Sequence, residues 1–333
     1  MKNARLKKAS PAAALVILAL LSFSCAQAPE SWSTAETFAL DTIITVRTLG
    51  AARETAAEVA GIAADTELFV LQTGGDIPEI LDTASLVSDI TNGALDLTLT
   101  PVLNAWGFGI SGGEHRVPSD GELAELLASR DPSALDVGSA AKGYALGLAG
   151  EKFLALSESG ACGVLNFGGS ILAIGKKPDG SRLRLGIENP RRTGDTLGGV
   201  AAENLSVTAS GSYQRYFEAD GVRYHHILDP KTGKPADSGL SSVVVVCADP
   251  LLGDCLSTAL FVLGKDEAVR SWREYGAELA FELLFVDAQG SVFVTERLAS
   301  GWSTQGFGSG ANSGGYAAYL CDNSFSVIKV NEQ

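Results

Sequence analysis

T-A-S-G-S-Y-Q-R-Y-F-E (Thr208 to Glu218), H-H-I-L-D-P-K-T-G (His225 to Gly233) and G-D-C-L-S-T-A-L-F-V-L-G (Gly253 to Gly264) are the three runs around which the chain is organised. In the third, apolar Leu256, Ala259, Leu260 and Leu263 recur at helical spacing. That periodicity predicts a helix with Asp254 and Thr258 one turn apart on one face, near its N-terminus. A carboxylate, a hydroxyl and a helix end suit a hard divalent cation, which takes oxygen ligands and shares them with substrate phosphates. The plainer alternative is an aspartate that caps a buried helix, and an isolated D-x-x-x-T would favour it.

Outward from that stretch, composition bounds the class of protein. A chain of 333 residues with 46% hydrophobic content can bury a full core, as one large domain or two lobes. Its 38 glycines and single methionine point to a turn-rich α/β or α+β protein in which backbone turns approach a ligand closely. A formal net charge of −14 argues against nucleic acid as a partner, because phosphate backbones are held by clustered Lys and Arg. A phosphate-bearing ligand here would need a metal and backbone N–H groups to carry its charge.

The first residues read as an address. Lys2, Arg5, Lys7 and Lys8 form a basic region, and Ala12 to Leu21 an apolar one too short to span a bilayer. Leu21-Ser22-Phe23-Ser24-Cys25 resembles a bacterial lipoprotein signal, so residues 1–24 are expected to be removed and Cys25 lipidated, with 25–35 as a tether. Ordinary cleavage after Ala28 would leave Pro29 beyond the cut, where it is poorly tolerated. The expected location is therefore outside the cytoplasm, lipid-anchored to a bacterial membrane and facing the periplasm. Cys162, Cys247, Cys255 and Cys321 show no C-x-x-C spacing; their three possible pairings stay open, and Cys247 and Cys255 lie in apolar runs as small core residues do.

Local patterns predict a strand over Glu36 to Leu49, helices over Ala51 to Leu71 and Asp76 to Thr91, and a helix over Ser119 to Ser129. Asp136 to Gly147 reads as a strand end, a small-residue turn and a helix start, where backbone N–H groups and Lys142 could meet an anion. It lacks the G-x-x-x-x-G-K-[ST] spacing of a P-loop. Val164 to Ile171 is a strand running into paired glycines; Leu183 to Glu188, Ser206 to Ala209 and Ser242 to Ala248 read as strands, and Ser309 to Gly315 as a Gly/Ser-rich surface loop.

Seven blocks then carry a resemblance: T-I-I-T-V from Thr42, A-L-D-L-T-L-T-P-V-L-N-A-W-G-F-G from Ala94, D-V-G-S-A-A-K-G-Y-A from Asp136, L-N-F-G-G-S from Leu165, T-A-S-G-S-Y-Q-R-Y-F from Thr208, H-I-L-D-P-K-T-G-K-P from His226 and D-C-L-S-T-A-L-F-V-L-G from Asp254. In this order they resemble the ApbE family, the often lipid-anchored FAD:protein FMN transferases of bacteria. The resemblance spans nearly all of residues 36–333. It implies a mixed α/β (α+β) fold with sheets packed against helices and a flavin nucleotide site in a cleft between two lobes. FAD would be the substrate, Mg2+ the cofactor, and FMN would pass to a Thr or Ser of a partner flavoprotein with release of AMP.

Carried over residue by residue, the resemblance implies metal ligands at Asp254, Thr258 and Ser139, with Ser257 at a position that is acidic in some members. Leu40, Ala94, Leu95, Asp96, Asp136, Lys142 and the backbone of Leu228 would face FAD. Gln72 to Asp76 keeps little of the family pattern, so no flavin-stacking residue is assigned there. His226 is the expected general base, because a neutral imidazole titrates near the working pH and can take the acceptor's proton. Neighbours on a strand point to opposite faces, so at most one of His225 and His226 is expected in a site. Two further readings stay open: an FAD pyrophosphatase that gives the same phosphorus to water, and a flavin-binding lipoprotein without turnover.

Overall fold

Valine-rich and alternating segments build a sheet, and Ala-rich helices cover it. The structure, a computed structural model, describes residues 31–109, 113–192 and 194–299 and the strand segments 302–303, 318–321 and 327–330. The expected signal peptide, Cys25 and the Ser309 to Gly315 loop lie outside the described residues. Ser33–Gln333 forms one compact unit.

The main sheet has ten strands in the order β1 (Ser33–Ala39), β2 (Thr42–Leu49), β3 (Cys162–Phe167), β4 (Ser170–Ile174), β7 (Leu205–Gly211), β10 (Leu240–Cys247), β11 (Glu282–Asp287), β12 (Val292–Thr295), β14 (Ala318–Cys321) and β15 (Val327–Val330). All pairs are antiparallel except β12 with β14, so the sheet is mixed. Strands β5 (Leu183–Glu188), β6 (Thr196–Ala202) and β13 (Trp302–Ser303) form a second sheet, and β8 (Tyr216–Ala219) pairs with β9 (Val222–His225) in a ribbon. The run Val243 to Cys247 in β10 is buried throughout, as a central strand covered on both faces must be.

The helices are α1 (Arg53–Thr73), α2 (Pro78–Ile90), α3 (Thr100–Trp106), α4 (Asp120–Ala128), α5 (Ala141–Leu156), α6 (Pro250–Leu263), α7 (Lys265–Tyr275) and α8 (Glu296–Ala299). Each half of the main sheet has its own apolar cluster. Ile44, Val46, Leu146, Phe153 and Phe167 join β2 and β3 to α5, with α1 packed in through Ala56 and Val59. Ile80, Val87, Leu256, Phe261 and Phe285 join α2 and α6 to β11. Burying each such large side chain contributes about 1.5–3 kcal/mol before the cost of ordering it. The two lobes expected from the sequence are thus two halves of one continuous sheet. A smaller cluster of Val102, Trp106, Leu123 and Leu228 lies under α3 and α4.

Most predicted elements stand close to where the sequence put them, and three differ. The strand expected over Glu36 to Leu49 is a hairpin, turning at Leu40 and Asp41 with φ of 53° and 57°. Two left-handed residues make the tight turn that matches strand twist, but neither is the glycine or asparagine that advertises it. No strand precedes the turn at Asp136; that segment is irregular up to α5. Helix α6 starts at Pro250, because Asp249 accepts hydrogen bonds from the amides of Leu251 and Leu252 and proline fits the first helical turn. Cys247 and Cys255 are buried thiols without a disulfide.

Candidate active site

A cavity of about 830 Å³ opens where the three clusters meet, in the size range of cofactor and drug-sized sites. Leu40, which packs against both large clusters, lines it, with Val137 and Ala141 from one and Leu228 and Phe108 from the smallest. Of the residues expected from the sequence, Leu40, Ala94, Leu95, Asp96, Asp136, Ser139, Lys142, His226, Leu228, Asp254 and Thr258 all line this one space. They come from hairpin, loops and helices far apart in the chain.

Because α6 begins at Pro250, Asp254 lies in its second turn, and the helix end facing Asp254 belongs to α5. Ala140 caps α5 without a side-chain hydrogen bond, so its first amides need an outside acceptor. The Gly143 amide finds one, donating to Asp254 Oδ2 at 2.8 Å. A Cβ at position 143 would lie 2.3 Å from Pro250 O and 2.7 Å from Asp254 Cβ, so only glycine lets the helices approach this closely. Asp254 Oδ1 accepts from Ser170 Oγ at 3.4 Å and lies 3.9 Å from Lys142 Nζ. At 3% exposure, burial pushes the Asp254 carboxyl up, against the pull of Lys142 and the two hydrogen bonds.

The hydroxyls on the next turn have a fixed order of protons. Ser257 Oγ donates to the carbonyl of Asp254 at 3.0 Å, because a carbonyl only accepts. Ser210 must then donate to Ser257 at 2.7 Å, which leaves Thr258 to donate to Ser210 at 3.3 Å. Thr258 keeps its lone pairs for a ligand on the cavity side, whereas Ser257 is fully buried, doubly bonded and outside the lining. The structure therefore brings Asp254, Thr258 and Ser139 to the cavity and does not bring Ser257 with them.

Two more carboxylates differ in what they are free to do. Asp96 Oδ1 accepts from Thr98 N–H and Oγ1 at 2.8 and 2.7 Å, and its other oxygen pairs with Arg130, so the side chain fastens its own loop. Asp136 Oδ1 accepts from the Gly138 amide at 2.9 Å; burial pushes its carboxyl up, opposed by that bond and by Arg215 and Lys142.

The paired histidines part as a strand end requires. His225 is buried, its Nε2 donating to Ala236 O at 3.2 Å and its ring edge-on to Phe261 at 5.5 Å. His226 lines the cavity, and its Nδ1 lies 3.1 Å from Arg215 O. The carbonyl can only accept, so Nδ1 carries the proton and Nε2 is the basic nitrogen. Burial, followed by the positive charge of Arg215, holds its pKa down to about 3, so the ring is neutral at ordinary pH and does not titrate near the working pH as the sequence led one to expect.

Sequence reading gave no role to Ser210 or Arg215, although both lie within the quoted T-A-S-G-S-Y-Q-R run. Their partners, Thr258 and His226, are visible only once β7 lies beside α6 and the His226 segment folds against Arg215. The lining carries the carboxylates of Asp41, Glu67, Asp96, Asp136, Glu188 and Asp254 against the cations of Lys142 and Arg215. Among the described residues no three His, Cys, Asp or Glu side chains gather as a metal site.

A model described as the ApbE family matches residues 41–281. The chain is 33% identical over 221 residues to a protein of Haemophilus influenzae named FAD:protein FMN transferase, covering 60% of this chain and 63% of that protein. A Klebsiella pneumoniae protein of the same name is 30% identical over 215 residues, 59% of this chain and 65% of its own length. The chain thus spans less than two thirds of the length of these relatives. Among solved structures, the ApbE protein of Thermotoga maritima superposes with a TM-score of 0.73 at 28% identity, covering 82% of this chain and all of that one (100%). The apo flavinyl transferase ApbE of Pseudomonas stutzeri gives 0.68 at 29% identity, with 84% and 99% covered. Family model, relatives and shared fold agree across the segments that build the cavity, and the chain belongs to the ApbE family.

Proposed function

We propose that the protein transfers FMN from FAD to a Thr or Ser hydroxyl of a partner flavoprotein, with Mg2+ as cofactor, and releases AMP. The observation that carries this reading is that one cavity is lined by both an oxygen-donor set (Asp254, Thr258, Ser139) and a neutral histidine with a free Nε2 (His226). The relatives' names supply the reaction class.

The donor set fits a hard cation. One buried carboxylate with its pKa raised, a hydroxyl with unused lone pairs and a nearby serine fall short of a full protein cage, and Mg2+ characteristically completes its shell with water and substrate phosphates. Bound there, the metal would neutralise charge on the diphosphate oxygens. The excess of lining carboxylates over cations also argues that a dinucleotide needs such a counter-charge.

The chain's own groups do the rest. Lys142 stands beside Asp254 and adds positive charge near the anion. His226 Nε2 takes the proton of the acceptor hydroxyl as its oxygen bonds to the FMN-side phosphorus; the bond from that phosphorus to the bridging oxygen breaks and AMP leaves. General base catalysis of this kind contributes roughly 10²–10⁴-fold. We further propose that residues 1–24 are a lipoprotein signal and that Cys25 anchors the protein to a membrane facing the periplasm.

Incubation with FAD and Mg2+, with and without an acceptor protein bearing a flavinylation threonine, tests the activity. A gain of FMN mass on the acceptor with matching AMP supports transfer. AMP without acceptor would replace it by FAD hydrolysis, and intact FAD in both arms would leave only binding.

A further inference from the structure

Arg215 is the second cation in the cavity lining, and its side chain and backbone do different work. Its carbonyl accepts from the His226 amide and from Nδ1, both at 3.1 Å, which orients the base. Its guanidinium donates to Phe108 O at 3.3 Å and lies 3.6 Å from Asp41 Oδ2. Asp41 is the second residue of the left-handed turn between β1 and β2, so the hairpin itself carries this carboxylate to the cavity edge. Both side chains are open to solvent, Arg215 at 47% and Asp41 at 70%, so little holds the pair together.

A guanidinium presents a fork of donors that matches phosphate, and only part of this one is used by the protein. The geometry points to Arg215 as an anion-binding residue for the dinucleotide's phosphates, with Asp41 as a placeholder carboxylate that the phosphate displaces. This rests on the reading of FAD as substrate and adds a specificity-determining residue to it. Lys142 and Arg215 then supply positive charge from α5 and from the segment between β7 and β8, and Arg215 alone trades one anion for another on binding. Because its carbonyl does the orienting of His226, the side chain can be changed without removing the support of the base.

Equilibrium binding by flavin fluorescence, without Mg2+ and again with it, separates the roles. Wild type, R215Q, R215K and D41N are each titrated with FAD and with riboflavin, which has the same ring and no phosphate. R215Q should bind FAD roughly tenfold or more weakly, the scale of a lost hydrogen bond to a charged group, with riboflavin unchanged. R215K should fall between, since an ammonium keeps charge but loses the fork. D41N should bind FAD more tightly, by up to about fivefold, the range of an exposed ion pair. Equal loss of both ligands in R215Q, or loss of neither, would overturn the assignment. If R215Q fails to fold, D41N decides alone: FAD affinity unchanged or weakened rejects the placeholder and with it the proposal. Wild-type protein that binds no FAD in either buffer would instead remove the substrate reading beneath it.

Discussion

His226 Nδ1 meets the carbonyl of Arg215 at 3.1 Å, and that single contact settles which nitrogen of the ring is basic. Since the pKa is held to about 3, the ring is neutral above that value and, as the proposed base, needs no deprotonation at neutral pH. The expected kcat/KM profile therefore has no acid limb from His226 between pH 8 and 5. H226Q should lower kcat by about 10²–10⁴-fold with FAD affinity little changed. A limb near pH 6.5 that vanishes in H226Q would contradict the assignment.

The same depressed histidine links to stability. Its folded pKa of about 3 lies below the unfolded value of 6.5, so between them the unfolded chain binds more protons. The contribution of His226 is fully present above pH 6.5 and is lost as pH falls through that window toward 3. Denaturant midpoints at pH 7 and 4.5 should therefore differ less in H226Q than in wild type; equal differences would show that the ring is not shielded.

Asp254 has the opposite sign. Burial raises its carboxyl above the unfolded value of 3.8, so its favourable contribution is present below that value and is lost as pH rises through the raised pKa. Metal-free D254N should be at least as stable as wild type at pH 8 and lose that advantage in acid. Mg2+ should raise the melting temperature of wild type, more strongly as pH rises because metal and proton compete, and should leave D254N unmoved. A Mg2+ shift that survives D254N would remove this residue from the metal set.

Thr258 and Ser257 divide by the same test. T258A should need more Mg2+ for activity at nearly wild-type stability. S257A should keep its Mg2+ requirement and lose about 1–3 kcal/mol of stability, because a buried Ser210 hydroxyl and the carbonyl of Asp254 lose a partner. The reverse pattern would exchange their roles.

Two glycines of α5 should respond oppositely to alanine. At Gly143 the new Cβ meets the backbone of α6, so the helices must part, at a cost of about 1–3 kcal/mol together with most of the activity. At Gly147 nothing lies within 4 Å, and alanine should stabilise by about 0.5–1 kcal/mol. Thermal melts of the two variants check both signs.

Periodicity served the sequence reading well where one element decides the pattern. The apolar spacing of α6, the Ser119 cap of α4 and the buried β10 were all legible because helix and strand periods act locally. The hairpin at Leu40 was not, since Leu40 has no local preference for left-handed backbone, Asp41 only a modest one, and both are held there by the pairing of β1 with β2. Most site positions came through the family resemblance, and they gather in one cavity. What stayed hidden was pairwise: the Ser210 relay to Ser257 and Thr258, the Arg215 carbonyl under His226, and the Asp254 bond to an amide 111 positions away.

That last bond sets limits on how the protein can be re-engineered. Asp254 satisfies the start of a neighbouring helix with one oxygen, so a longer replacement, or one without a side-chain oxygen, disturbs the scaffold and the chemistry together. Thr258 and Ser139 hold no helix end in place, and libraries that vary the oxygen donors of the proposed metal site have their freedom at those two positions.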